Sequence, residues 1–211
     1  MRFEDLLTLV GSQPLFETGL LLAGNADPDD MRRQLSRWAR SGRIHQYRRG
    51  LYSLSPPYQK IAPHPFVAAN ALVTGSYVSK QSALAFYGLI PEYVPRTTSV
   101  TVLRPAQWEG GFQFQHIAPS LNFGYEAIDL PGGQSAFVAT PEKALLDLAH
   151  LTPRADAGGY LEHLRLQNLE RLNIDRLREF ARRARKPKWE RIANQVIALA
   201  AEETEHYEEV S

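Results

Sequence analysis

The chain has 211 residues, 44% hydrophobic and 22% charged, with a formal net charge of +1, a composition that allows one large or two modest soluble domains. No run approaches the roughly 18 apolar residues of a membrane span, and the absence of cysteine excludes a disulfide framework, a thiolate nucleophile and cysteine-ligated zinc. Charge is segregated: no Asp or Glu falls between Met31 and Pro91, where nine Lys or Arg residues lie, while Glu202, Glu203, Glu205, Glu208 and Glu209 form an acidic end, which points to a polyanionic partner for the basic part.

Met1 to Val10 carries Glu4 and Asp5 and lacks the basic-then-apolar order of a signal peptide, so a cytoplasmic protein is expected. Phe3, Leu6, Leu7 and Val10 have the spacing of a short amphipathic helix. Gly11 to Pro14 interrupts it, and Leu15 to Ala23 resumes an apolar helical pattern. Asn25 to Asp30 is a helix start, with Asp27 as N-cap, Pro28 at the first position and Asp29 and Asp30 facing the positive end of the dipole. Over Pro28 to Ser41, Met31, Leu35 and Trp38 share one face, flanked by Ala39. Arg33, Arg37 and Arg40 cluster opposite, with Arg32 and Ser36 beside them, as an arginine face that no acidic residue neutralises. Gly42 is placed to end the helix. After Arg43, Ile44–Tyr47 and Leu51–Leu54 read as strands joined by Arg48-Arg49-Gly50. Helices followed by a basic-tipped hairpin is the layout of a winged helix-turn-helix. The expected DNA-binding residues are therefore Arg32, Arg33, Ser36, Arg37, Arg40, Arg43, Arg48 and Arg49, because arginine pairs bidentately with guanine edges and phosphate oxygens. The competing reading is a protein-binding winged helix whose arginines only solubilise it.

Proline density from Ser55 to Pro65 marks a linker. Beyond it the pattern predicts a helix over Phe66 to Val73, a strand at Tyr77-Val78 and a helix from Ser79, as cap, to Tyr87. Strands are expected over residues 98–102, 112–117, 123–128 and 135–139, with Pro131-Gly132-Gly133 as a turn. Thr140-Pro141-Glu142-Lys143 opens a helix. Leu161 to Leu172, Asp175 to Arg185 and Lys188 to about Glu205 complete the chain as helices, the last with an apolar stripe of Trp189, Ile192, Ala193, Val196, Leu199 and Ala200. The expected class is α+β: a winged helix-turn-helix over residues 1–57, then a domain over 58–211 with a small, mainly antiparallel sheet and several helices.

No catalytic constellation emerges. The six histidines form no His-x-x-x-His pair, so no metal or other cofactor is expected, and His116, His150 and His163 read as structural or surface groups. Gly75-Ser76 is not followed by paired metal-binding acids, Glu142 and Asp147 are five apart on one helix, and no phosphate loop or nucleophile elbow occurs. A candidate secondary basic surface, Arg182, Arg183, Arg185, Lys186, Lys188 and Arg191, precedes the last helix. It reads as an extra DNA contact, a dock for an acidic partner or a solvated helix junction.

The strings Leu35-Ser36-Arg37-Trp38, Gly42-Arg43-Ile44 and Arg48-Arg49-Gly50-Leu51-Tyr52, then Tyr77 to Leu84, Gly88 to Glu92, Thr98 to Thr101, Phe123-Gly124-Tyr125 and Pro141 to Asp147, resemble the AbiEi antitoxins over roughly residues 30 to 150. The resemblance implies a non-enzymatic antitoxin of a type IV toxin–antitoxin system associated with abortive phage infection. Its winged helix would repress its own operon at promoter inverted repeats in double-stranded DNA. Its C-terminal domain would counteract a nucleotidyltransferase-like toxin, with or without direct contact. The alternative is a winged-helix transcription factor whose C-terminal domain senses a small ligand, with no toxin partner.

Overall fold

The computed structural model describes residues 1–22, 27–157 and 159–210, with side chains up to Glu203. Ala23 at the end of the expected Leu15–Ala23 helix, Asn25-Ala26 and the side chains of the acidic run beyond Glu203 lie outside the described residues. The class is α+β, with two sheets, and the chain divides into two compact units.

The first unit takes Met1–Thr74 together with Asp129–Ser135. It begins with α1 (Phe3–Val10), which buries Phe3, Leu6 and Val10 on one face and at whose start Asp5 accepts from the Arg2 amide at 2.8 Å. The segment expected to continue as helix instead gives a short strand β1 (Phe16–Glu17) and one turn, α2 (Thr18–Leu21). β1 is held by pairing with β3 (Leu51–Leu54), Phe16 opposite Tyr52, so cross-strand pairing overrides the local helical pattern. α3 (Pro28–Arg40) starts where its cap requires: the Asp27 carboxylate accepts from the amides of Asp29 and Asp30, both at 2.9 Å, and those two bonds hold its pKa below the usual value. Met31, Leu35 and Trp38 go inward and join Leu6, Phe16 and Ile44 in one core. β2 (Ile44–Arg48) returns against β3 with Ile44 opposite Leu54, giving a three-stranded antiparallel sheet in the order β1-β3-β2. The turn needs Gly50 at φ +88°, a conformation that costs an L side chain energy.

This unit runs past the proline-rich segment and includes α4 (Pro65–Leu72). The link is specific. Gln134 accepts from the His64 amide at 2.9 Å and donates to the carbonyls of Ala62 and Pro131 at 3.1 and 3.0 Å.

The second unit takes Gly75–Ile128 and Ala136–Ser211. The strands beyond Thr74 are β4 (Tyr77–Val78), β5 (Thr97–Thr101), β6 (Ala106–Trp108), β7 (Phe112–His116), β8 (Tyr125–Leu130) and β9 (Gln134–Ala139), the end of β8 and the start of β9 falling in the Asp129–Ser135 segment of the first unit. They form a six-stranded sheet in the order β6-β7-β5-β4-β9-β8. The expectation of a small, mainly antiparallel sheet needs correction here. β5 runs parallel to β7 and β4 parallel to β9, while β4·β5 and β6·β7 are antiparallel. A parallel pair needs a return path, and β6 supplies it between β5 and β7. At three residues, β6 is too short to show a period in sequence.

Three long helices complete the unit: α6 (Pro141–Leu151), α8 (Ile174–Ala184) and α9 (Pro187–Val210). Along α6 every residue from Glu142 to Ala149 is buried. The expected Leu161–Leu172 helix is broken into α7 (Tyr160–His163) and a 3-10 turn at Leu169–Arg171. Arg165 and Asn168 have positive φ, and the Gln167 amide and Asn168 side chain donate to the carbonyls of Leu89 and Gly88 at 3.0 and 2.7 Å. Those bonds replace the helical ones.

Candidate nucleic-acid interface

α3 presents Arg32, Arg33, Ser36, Arg37 and Arg40 to solvent, and the five line one shallow, open depression. The apolar face beneath fixes which side of the helix faces out, so burial of Leu35 and Trp38 is what exposes Ser36 and Arg37. Within the face the cations are held locally. Arg37 donates to the Gln34 side chain at 2.8 Å, and Arg40 donates to the Ser36 hydroxyl at 3.2 Å.

One expectation fails. The arginine face is not free of acids: Arg32 pairs with Asp29 at 2.7 Å, and Arg33 pairs with Asp30. The two acids lie one turn earlier, just before the acid-free stretch, and helical i,i+3 spacing carries them beside the arginines. All four side chains are more than half exposed. Such pairs contribute about 0–1 kcal/mol, so they hold the arginines only weakly.

The remaining expected residues divide. Arg43 is exposed, its guanidinium 5.0 Å from the centre of the Phe3 ring. Arg49 is exposed at the hairpin turn. Arg48 turns back into the unit, donating to Glu17 at 3.3 Å, the Ala71 carbonyl at 3.2 Å and the Arg49 carbonyl at 3.2 Å. The bulge between Gln46 and Arg48 breaks the strand alternation and sends neighbouring side chains to different surroundings. Arg48 thus ties the hairpin to β1 and α4, and Arg49 is the open cation of the turn.

The secondary basic group is dispersed in role. Lys188 donates to the carbonyls of Thr152 and His150, at 2.6 and 3.4 Å, closing the C-terminus of α6. Arg191 pairs with Asp156, at 2.5 and 3.0 Å, and holds that carboxyl below its ordinary pKa. Arg183 stacks on Phe123, 4.1 Å from the ring centre. Arg182, Arg185 and Lys186 are exposed.

The second unit also contains a polar centre that sequence reasoning missed. Lys143 and Asp147 are fully buried, one helical turn apart on α6, and form an ion pair. Lys143 also donates to the Tyr77 hydroxyl at 2.7 Å, and Asp147 accepts from Tyr77 at 3.0 Å and Ser79 at 2.8 Å. The ammonium lies 5.1–5.6 Å from the ring centres of Tyr77, Trp189 and Phe123. Burial lowers the Lys143 pKa against the opposing pull of Asp147, and burial followed by the Asp147 charge raises that of Tyr77. Ser79 was expected to cap α5 (Lys80–Phe86), but its hydroxyl is committed to Asp147 and makes no cap bond. Glu142 is buried separately, accepting from the Asn173 amide at 2.8 Å. Full burial closes the Lys143 centre to substrate, so its geometry is that of a packing element.

The histidines singled out in the sequence have local partners. His116 meets the Leu103 carbonyl at 3.0 Å, His150 packs edge-on to Trp189, and His163 meets the Gly159 carbonyl. Among the described residues no group of three or more His, Asp or Glu is placed to hold a metal ion, and no helix is long and apolar enough to cross a membrane.

No family model and no curated protein matches the chain. Among solved structures it is similar to the Rv2827c protein of Mycobacterium tuberculosis. That match has 16% identity and a TM-score of 0.57, covering 93% of this chain and 76% of the other. At that identity the likeness is one of fold, over nearly the whole of this chain.

Proposed function

We propose that the chain is a double-stranded-DNA-binding repressor and antitoxin, with its first unit a winged helix in which α3 reads the major groove and the β2–β3 hairpin is the wing. The exposed arginine face of α3 carries this reading. A helix whose inner face is fixed by Leu35 and Trp38 and whose outer face offers Arg33, Arg37 and Arg40 suits phosphate and guanine contacts. The element order, helices followed by an antiparallel hairpin with Arg49 at its turn, supports the wing. The second half of the proposal rests on the sequence resemblance to AbiEi antitoxins: the chain represses its own promoter at inverted repeats and counteracts a nucleotidyltransferase-like toxin, without itself being an enzyme.

The test separates the two roles in the full-length chain. Arg33→Ala/Arg37→Ala/Arg40→Ala should abolish promoter binding in an anisotropy titration while still rescuing cells that express the toxin encoded beside it. Undiminished promoter binding by that variant would refute the α3 assignment. Failure of the wild-type chain to rescue from that toxin would refute the antitoxin half and leave a regulator whose second unit answers to another signal.

A further inference from the structure

The outward face of α3 has a centre line. Met31, Leu35 and Trp38 are buried, and at about 100° per residue the direction opposite them falls among Asp29, Arg33, Ser36 and Arg40, all exposed. Arg32 flanks that line on one side and Arg37 on the other. Asp29 is the member that does not suit a face for a polyanion. Its side chain is 76% exposed and accepts from the Arg32 guanidinium at 2.7 Å. Nor is it the helix cap, because the Asp27 carboxylate takes the amides of Asp29 and Asp30.

On the centre line of a DNA-facing helix, a carboxylate is repelled by the phosphates of both strands. The floor of the major groove treats it differently. A carboxylate only accepts hydrogen bonds, and the donors displayed on that floor are the amino groups of cytosine N4 and adenine N6. Adenine sets its N7 acceptor beside the amine, while guanine and thymine display acceptors and a methyl group. Cytosine presents a donor with no acceptor of its own beside it. The first residues of a groove-reading helix are those that reach base edges, and Asp29 stands in the first turn of α3. Arg33 follows on the same line, about 6 Å further along the axis at ~1.5 Å per residue, roughly two base steps of ~3.4 Å. Its fork suits guanine O6 and N7.

We infer that Asp29 is a specificity-determining residue: it selects a cytosine in each half-site of the promoter repeat, and Arg33 reads a guanine nearby. The inference rests on the reading of α3 as the groove-reading helix. It adds to that reading an acid that excludes wrong bases, where the arginines alone would favour any duplex.

The experiment is an anisotropy titration of the full-length chain. The probes are the promoter duplex, the same duplex with each base pair of one half-site changed in turn, and an unrelated duplex of equal length. For the wild type, one C·G position should cost about 10- to 100-fold in affinity when changed. Asp29→Ala should shrink that cost to less than about 3-fold, leave the other positions as they were, and bind the unrelated duplex more tightly than the wild type does. Asp29→Asn should move the preference at the same position from C·G to A·T, because an amide pairs with adenine N6 and N7. A carboxylate that only steadies the helix end would lower the melting temperature of both variants and leave every base preference in place, and that result overturns the inference. Retention of the C·G preference by Asp29→Asn overturns it as well. A wild-type chain that does not bind the promoter, or promoter binding undiminished in Arg33→Ala/Arg37→Ala/Arg40→Ala, removes the α3 reading and this inference together. Promoter binding lost in that triple variant but unaltered in base preference by Asp29→Ala removes the inference alone.

Discussion

Two groups of charged side chains, one in each unit, show how surroundings decide what a charge does. On α3 the arginines are exposed and hold neighbours one turn away through bonds that water and salt weaken. On α6, Lys143 and Asp147 have no exposure, and every polar atom that meets them is itself committed to the cluster. Both groups contain helical ion pairs of ordinary spacing. The first can release its cations to a ligand; the second cannot release anything without leaving a bare charge in an apolar interior.

The largest expected effect comes from cutting the buried pair in half. Asp147→Leu or Lys143→Met alone should destabilise the chain by about 3–5 kcal/mol, since each strands the other charge. The double substitution should recover part of that loss, because it strands no charge, while the buried Tyr77 and Ser79 hydroxyls lose their partners and keep the variant below the wild type. A denaturant titration of the three variants tests this, and a double variant no better than the worse single one would contradict the account.

The α3 arginines should behave in the opposite way. Arg37→Ala should change stability by less than about 0.5 kcal/mol, as expected for exposed positions, yet weaken promoter binding by about 1–3 kcal/mol if the side chain reads a base. A salt titration sharpens the result: each phosphate contact removed should flatten the slope of log K against log salt by about 0.9.

The hairpin offers the same contrast between neighbours. Arg48→Ala removes donors to Glu17 and the Ala71 carbonyl and should cost about 1–2 kcal/mol of stability. Arg49→Ala should leave the melting temperature unchanged and reduce only the salt slope of DNA binding. Equal melting temperatures for the two variants would show that Arg48 is not a tie.

The exposed group was legible in the sequence because its determinants are local. Asp27, Pro28 and Gly42 mark the helix ends, and the 3.6-residue period sorts Leu35 from Arg37. The pairing of Arg32 and Arg33 with Asp29 and Asp30 was legible in principle as well, being i,i+3 on one helix. The buried group was not recognised, because Lys143 and Asp147 at i,i+4 look like an ordinary surface pair. The available signal lay in their neighbours: Ala144, Leu145, Leu146, Leu148 and Ala149 leave no polar face, and a helix apolar all round is a buried one. Tyr77 and Ser79, some seventy positions away, are joined to them only by the fold. β1 and β6 failed for a related reason, being two and three residues long and defined by their partners.

The smallest effect concerns pH, and it reaches both units through histidine. His64 caps α4 by accepting from the Phe66 amide, and burial lowers its pKa below 6.5. His150, against Trp189, is lowered by burial first, with Lys188, Lys186 and Lys143 acting in the same direction and Asp147 opposing. A group whose folded pKa is depressed stabilises the fold above its unfolded pKa and loses that contribution as pH falls through the folded value. The melting temperature should therefore hold from pH 8 to 7 and decline below about 6.5, before the carboxylates titrate. His64→Asn keeps an acceptor at the cap and His150→Phe keeps a ring on Trp189, so the double variant should lose this decline. A decline of the same size in that variant would assign it to other groups.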